Sequence, residues 1–290
     1  MTLATASGTV QPNLAMTDYV ADNVGAPGPT LSSSLAHHLL TRSPLHAWYR
    51  HPKLNPAWQE ESSAAFDLGS AVHAVLLEGR SDLLAIIDVP DWRTSAAKTA
   101  RDEARAAGKI PLLPGDGETV ERMVAASSMA LGSPDLAGLG ALEAERTYVW
   151  EEDGHWYRCR PDWATADCTI VLSYKTTSLN AEPSAYTKTI LNFGYDMQAA
   201  FERRGIEAAT GVKPKHYIWI VQETAAPYAT SLVGLAPDFA AYGHDRMCEA
   251  MDLWGSCIDR DYWPGYPNRI CYVSPPAWAR AELDERMDNR

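Results

Sequence analysis

Residues 145–177, ERTYVWEEDGHWYRCRPDWATADCTIVLSYKTT, restrict the fold more than any other stretch. Two runs rich in β-branched and aromatic residues flank Asp153-Gly154, a dipeptide suited to a tight turn. ERTYVWEE and HWYRCRPDWA are therefore expected to pair as a hairpin, with CTIVLSYKTT as a third strand. Helical patterns stand on both sides. Upstream they cover 63–79, closed by Gly79, then 94–108, capped by Thr94 or Ser95 and ended at Gly108, then about 117–131. Downstream they cover 183–193, 195–209 and 237–258, with KHYIWIV and YATSLVGL as two further strands. This order predicts an α/β fold, a mixed central β-sheet flanked by helices.

At 290 residues the chain is long enough for one large domain. Residues 1–30, rich in Thr, Ala, Gly and Pro, predict a weakly ordered N-terminal arm, and 31–290 a single domain. LSSSLAHHLLTRSPLHAWYRHPKLNP opens that domain with a helix broken at Ser43-Pro44 and a second short helix. No apolar run reaches the roughly 18–20 residues of a membrane span. The N-terminus lacks a basic segment followed by an apolar one, so the expected location is the cytoplasm. Five cysteines without a C-x-x-C pair argue against a zinc ribbon or a disulfide framework. The net charge of −12 disfavours attraction to nucleic acid over the whole surface, so a DNA-binding face would need its positive residues clustered.

Asp162 and Lys175 fall near the ends of what read as adjacent strands. Side chains two apart on a strand share a face, which groups Ser173 with Lys175 and Arg158 with Arg160 and Asp162. Acidic groups and a lysine at strand ends suit phosphodiester hydrolysis. Carboxylates hold Mg²⁺, and a lysine offsets charge on the phosphorus centre. Either dipeptide alone, Pro161-Asp162 or Tyr174-Lys175, would signify no more than a turn and a surface charge.

Five segments in order carry a resemblance. GSAVHAVLLEG is similar to G-x-A-x-H-x-x-L-L-E, Ala144-Glu145 to an acidic residue entering a strand, and RCRPDW to R-x-R-P-D-W. SYKTT resembles D-x-K-T-T, and YDMQAAFERRG resembles Y-x-x-Q-A-A-F-Y-x-x-G. Together they resemble the exonuclease VIII (RecE-like) phage recombination exonucleases of the PD-(D/E)XK nuclease superfamily, over about residues 32–280. The resemblance implies a restriction-endonuclease-like core, with Asp162 and Glu145 as metal ligands and His73 as a ligand or close neighbour. It further implies Lys175 as catalytic lysine and Gln198 as a helper that positions substrate or water. Mg²⁺ is the implied cofactor, with Mn²⁺ as a substitute.

Two positions depart from this pattern. Ser173 replaces the second aspartate, and Glu202 stands where the helix carries a tyrosine. Serine brings no charge to a divalent cation. Gln198 and Glu202, at i and i+4, share a helical face, so Glu202 could fill the space left by Ser173 as a migrated acid. Alternatively, Glu202 pairs with a neighbour on a solvated face. In a third reading, Ser173 was introduced to trap a complex and the native residue is aspartate.

For DNA, Lys98, Arg101, Arg105 and Lys109 recur at helical spacing and could track phosphates, or could form an ordinary solvated face balanced by Asp102 and Glu103. Arg158 and Arg160 are further candidates. Trp92 and Trp156 could stack at a frayed end, although core positions suit them as well. The function expected is a Mg²⁺-dependent exodeoxyribonuclease hydrolysing linear duplex DNA from its ends, resecting the 5′-ended strand for recombination. Implied partners are a single-strand annealing protein and further copies of the chain in a ring. The competing expectation is a pseudonuclease that binds DNA ends without cutting.

Overall fold

The computed structural model describes residues 7–59 and 67–288. The chain runs β1 (Ser7–Gln11), α1 (Met16–Val20), β2 (Thr30–Leu31), α2 (Ser33–Thr41), α3 (Pro44–Arg50), α4 (Asp67–Glu78), β3 (Leu84–Ile86), α5 (Ser95–Ala106), β4 (Ile110–Leu112) and α6 (Pro114–Leu131). It continues through β5 (Leu142–Ala144), β6 (Thr147–Glu152), β7 (His155–Cys159), β8 (Trp163–Thr165) and β9 (Ile170–Thr177). Then follow α7 (Pro183–Phe193), α8 (Tyr195–Thr210), β10 (His216–Glu223), β11 (Thr230–Gly234), α9 (Pro237–Arg260) and α10 (Ala277–Asp288). Residues 63–66 of the helix expected over 63–79 lie outside the described residues. No helix among those described is long and apolar enough to cross a membrane.

The α/β expectation holds, but the strands divide between two principal sheets. One has the order β11-β10-β9-β8-β5 and is mixed, because β9 and β10 run parallel while the other neighbours run antiparallel. The other has the order β1-β6-β7-β2. The run expected as one strand, HWYRCRPDWA, is thus two. β7 pairs with β6 as the hairpin predicts, whereas β8 pairs with β9 in the other sheet. Pro161, which has no N–H to give to a ladder, sits at the break. Asp162 therefore lies in the joint between the sheets.

Two glycines let helices approach these strands closely. A β-carbon at Gly205 of α8 would lie 2.6 Å from Cys159 Sγ and from the Trp150 ring. One at Gly69 of α4 would lie 3.2 Å from Thr176 Oγ1 of β9. The second contact sets His73, one turn further along α4, over the end of β9. One apolar cluster forms around α2, α8, α9 and the β6–β7 hairpin, and another around α4, α6 and the β8–β10 region.

Residues 7–30 of the arm that the sequence reads as weakly ordered are instead built into the fold; residues 1–6 lie outside the described residues. β1 pairs along its whole length with β6, Ser7 opposite Glu151 and Gln11 opposite Thr147. Beyond it Asp22 is fully buried. Its Oδ1 accepts from Arg158 Nη1 at 2.8 Å and from Thr30 Oγ1 at 2.5 Å, and its Oδ2 accepts from the Thr30 N–H at 3.0 Å. Arg158, only 3 % exposed, is consumed by this cluster and does not face a nucleic acid. A lone buried guanidinium is costly, so Asp22→Ala should lose on the order of 3–5 kcal/mol of stability in urea denaturation. A loss below about 1 kcal/mol would show that the cluster does not hold the arm.

Candidate active site

The joint between the sheets builds the site through an interrupted ladder. The last β8–β9 partners on this side are Trp163 and Leu172. One step further the strands part, and the Asp162 carboxylate takes over: its Oδ2 accepts from the Tyr174 backbone N–H at 2.7 Å and from Ser173 Oγ at 2.9 Å. Its Oδ1 points to His73 Nε2 at 3.4 Å. The same Nε2 stands 3.1 Å from Glu145 Oε1, and the Arg160 guanidinium donates to Glu145 Oε2. The Glu145 N–H is fixed to the Asp162 carbonyl at 3.0 Å. Glu145 has φ of 57°, a left-handed conformation that glycine adopts far more readily than glutamate.

Charge follows from this geometry. Burial alone would raise the Asp162 pKa, but Lys175, His73 and the Tyr174 N–H outweigh it and hold the carboxyl at about 2. Burial works against the His73 imidazolium, yet the hydrogen bond and charge of Asp162, with Glu145, raise its pKa. Burial also raises Glu145, and the Asp162 charge adds to it, against His73 and Arg160. Lys175 is half-buried with Nζ 4.9 Å from the centroid of the Tyr195 ring. Burial opposes its charge, and Asp162 more than restores it.

The two departures from the expected pattern lie side by side. Ser173 is 1 % exposed and Glu202 2 %. Glu202 is not on a solvated face. Its Oε1 accepts from Gln198 Nε2 at 2.7 Å and its Oε2 from Tyr217 Oη at 2.8 Å. The Tyr217 hydroxyl also lies beside Ser173. Gln198, Glu202 and Tyr217 form one hydrogen-bonded set, and Ser173, Asp162, His73, Glu145 and Arg160 form a second next to it. Burial drives the Glu202 carboxyl up to about 7; the Asp162 charge also raises it, while Gln198, Lys175 and Tyr217 oppose.

His73, Glu145, Asp162, Arg160 and Lys175 line a cleft of about 1370 Å³, whose walls include Pro12–Met16 of the N-terminal segment. Glu78 joins them: ligand atoms of His73, Glu78 and Glu145 all lie within 4.8 Å of one another. The i, i+5 spacing of His73 and Glu78 puts them on different sides of an ideal helix, and by sequence Glu78 reads as no more than the last acidic residue of that helix. Tyr217 is a second residue that sequence alone did not single out, because its contacts form across distant elements. Among the basic residues of α5 and its exit, Arg101 pairs with Asp102 at 3.0 Å and Lys109 Nζ donates to the Asp82 carbonyl at 2.5 Å. Lys98 is exposed, and none of Lys98, Arg101, Arg105 and Lys109 lines the cleft.

Carboxylates at the joint between two sheets, a helix histidine and a strand lysine at a cleft are the residue types of the PD-(D/E)XK nuclease class, to which this chain belongs. Within it, residues 33–275 match the family described as PDDEXK-like domain of unknown function (DUF3799), and the chain is a member of that family. A crystal structure from Eubacterium rectale, named as a "Putative exonuclease", superposes with a TM-score of 0.59 at 13 % identity, covering 92 % of this chain and 98 % of that one. At that identity the likeness concerns the fold. The structure of SSO0001 gives a TM-score of 0.28 at 12 % identity over 82 % of this chain and 87 % of that one, too low to carry any argument. No curated protein matches the chain.

Proposed function

We propose that the protein is a divalent-metal-dependent exodeoxyribonuclease that degrades linear duplex DNA from its ends. The observation that carries this reading is the convergence of Glu145 and Asp162 on His73 Nε2, beside Lys175, in an open cleft. This donor set fits a hard divalent cation. Two carboxylates converge there, and one of them, Glu145, is pushed towards its neutral form by burial and by the neighbouring Asp162 charge, which a cation would offset. Asp162, Glu145 and His73, with Glu78 at the rim, would hold Mg²⁺ or Mn²⁺. When bound, the cation would polarise a phosphate oxygen and acidify a water molecule.

The chain's own residues do the rest. Lys175, fully charged and braced on Tyr195, offsets negative charge as water attacks phosphorus and the P–O3′ bond breaks. Ser173 and the Tyr174 N–H orient Asp162, and Arg160 orients Glu145. Gln198 and Tyr217 hold Glu202, the acid that replaces the one missing at 173. Resection of the 5′-ended strand, a single-strand annealing partner and a homo-oligomeric ring belong to the same reading, on the strength of the resemblance to the exonuclease VIII group.

A second reading, a DNA-end-binding pseudonuclease, draws on Ser173 and on a Glu202 whose oxygens are both engaged by the protein. One experiment separates them. With Mg²⁺, linear duplex labelled at its 5′ ends should lose label, EDTA should prevent the loss, and a covalently closed circle should survive. Cutting of the circle would indicate an endonuclease. Binding of ends without cutting in either Mg²⁺ or Mn²⁺ would establish the pseudonuclease.

A further inference from the structure

Trp92 and Trp156, the aromatics that the sequence offered for stacking, do not line the cleft; Tyr195 and Phe193 do. The two rings are stacked, with centroids 5.7 Å apart and planes 20° from parallel, and Tyr186 stacks behind Tyr195 at 6.4 Å and 26°. Lys175 Nζ caps the Tyr195 ring. The ladder therefore starts at the proposed catalytic lysine and ends at Phe193, which is 62 % exposed. Leu179, 74 % exposed, borders the same cleft. Gly194, in the left-handed region with φ of 69°, makes the sharp turn between α7 and α8 that brings Phe193 back beside Tyr195. An aromatic left in water at the end of an ordered stack, at the mouth of a cleft, calls for a flat apolar occupant.

Building on the nuclease reading, we propose that Phe193 is a stacking platform for one unpaired nucleobase of a DNA strand whose phosphate lies at Lys175. Three features select a base over an apolar protein segment. The ladder continues a preformed aromatic stack, the neighbouring Lys175 supplies positive charge for the attached phosphate, and the wall behind it is polar with Thr176, Thr177 and Ser178. Every base has a π-face, so the contact reads no sequence, which suits an enzyme that advances from an end. It also requires the terminal pair to open before its strand is seated.

The test measures metal-free binding, in EDTA, of duplexes with a two-nucleotide 5′ overhang, either with normal bases or abasic in the overhang. The native protein should prefer the normal end by on the order of tenfold. Phe193→Ala should lose that preference, Phe193→Trp should keep it, and Phe193→Leu, apolar without a ring, should not. A 2-aminopurine in the overhang should be quenched by the native protein and not by Phe193→Ala. Preference retained in Phe193→Ala, or fully restored by Phe193→Leu, would overturn the proposal, as would binding that ignores the overhang bases. Because no metal is present, a native protein that shows no base preference refutes the platform alone. A preserved preference in a protein that never cuts DNA refutes the hydrolase alone.

Discussion

Glu202→Gln is expected to remove most DNA cleavage while making the metal-free protein more stable at pH 8. In the folded chain the Glu202 carboxyl titrates at about 7, because burial disfavours its charge. In the unfolded chain it titrates at its ordinary 4.5. Between those values the folded state holds the proton and the unfolded state has released it, so stability falls as pH rises from 4.5 to 7 and stays low above. The span corresponds to on the order of 3 kcal/mol. Glutamine keeps the shape and can still bond Gln198 and Tyr217, so the variant should match the native protein below pH 4.5 and exceed it at pH 8. Cleavage should drop by at least about 100-fold, the scale of losing one charged group that acts at the reacting centre. Urea denaturation in EDTA across pH, beside cleavage in Mg²⁺, checks both halves. A stability gain with undiminished cleavage would strip Glu202 of its catalytic role. A stability loss would mean that the carboxylate is charged and paired.

The larger test of the exchange between positions 173 and 202 is a double-mutant cycle. Ser173→Asp would set a second carboxylate at hydrogen-bond distance from Asp162, since Ser173 Oγ is 2.9 Å from Oδ2. With Glu202 also present, three buried acids would share one site, and without metal the protein should lose several kcal/mol of stability. Glu202→Tyr alone should cut poorly, again by about 100-fold or more. The pair Ser173→Asp, Glu202→Tyr restores the aspartate and tyrosine of the exonuclease VIII pattern and should recover cleavage to within about tenfold of the native protein. If the single effects simply multiply, the positions are independent and the compensating exchange fails.

What sequence made legible was local. The Asp153-Gly154 turn, the helix start at Thr94 and stop at Gly108 and the periodicity of α7, α8 and α9 each rest on neighbours within a few residues, and the elements form where those signals lie. The order of the five similar segments likewise pointed to His73, Glu145, Asp162 and Lys175, which the fold gathers at one cleft. What stayed hidden depends on contacts far apart in the chain. β1 pairs with a strand some 140 residues away, Arg158 finds Asp22, and Tyr217 comes from β10 to bond Glu202. Strand alternation could group Arg158 with Arg160, but it could not reveal that one is sealed by the N-terminal segment while the other reaches Glu145. Nor could it show that Pro161 ends one sheet and Trp163 begins another.

Residues 7–30 change what counts as one inheritable piece. They supply an edge strand, the counter-ion of a buried arginine and a wall of the cleft, with the Leu14 carbonyl accepting from Arg160 at 2.7 Å. A gene fragment opened at codon 31 would encode every proposed ligand and still leave Arg158 stranded and Arg160 less firmly aimed at Glu145. Recombination that swaps such domains between genomes would therefore have to carry this leading segment along with the rest.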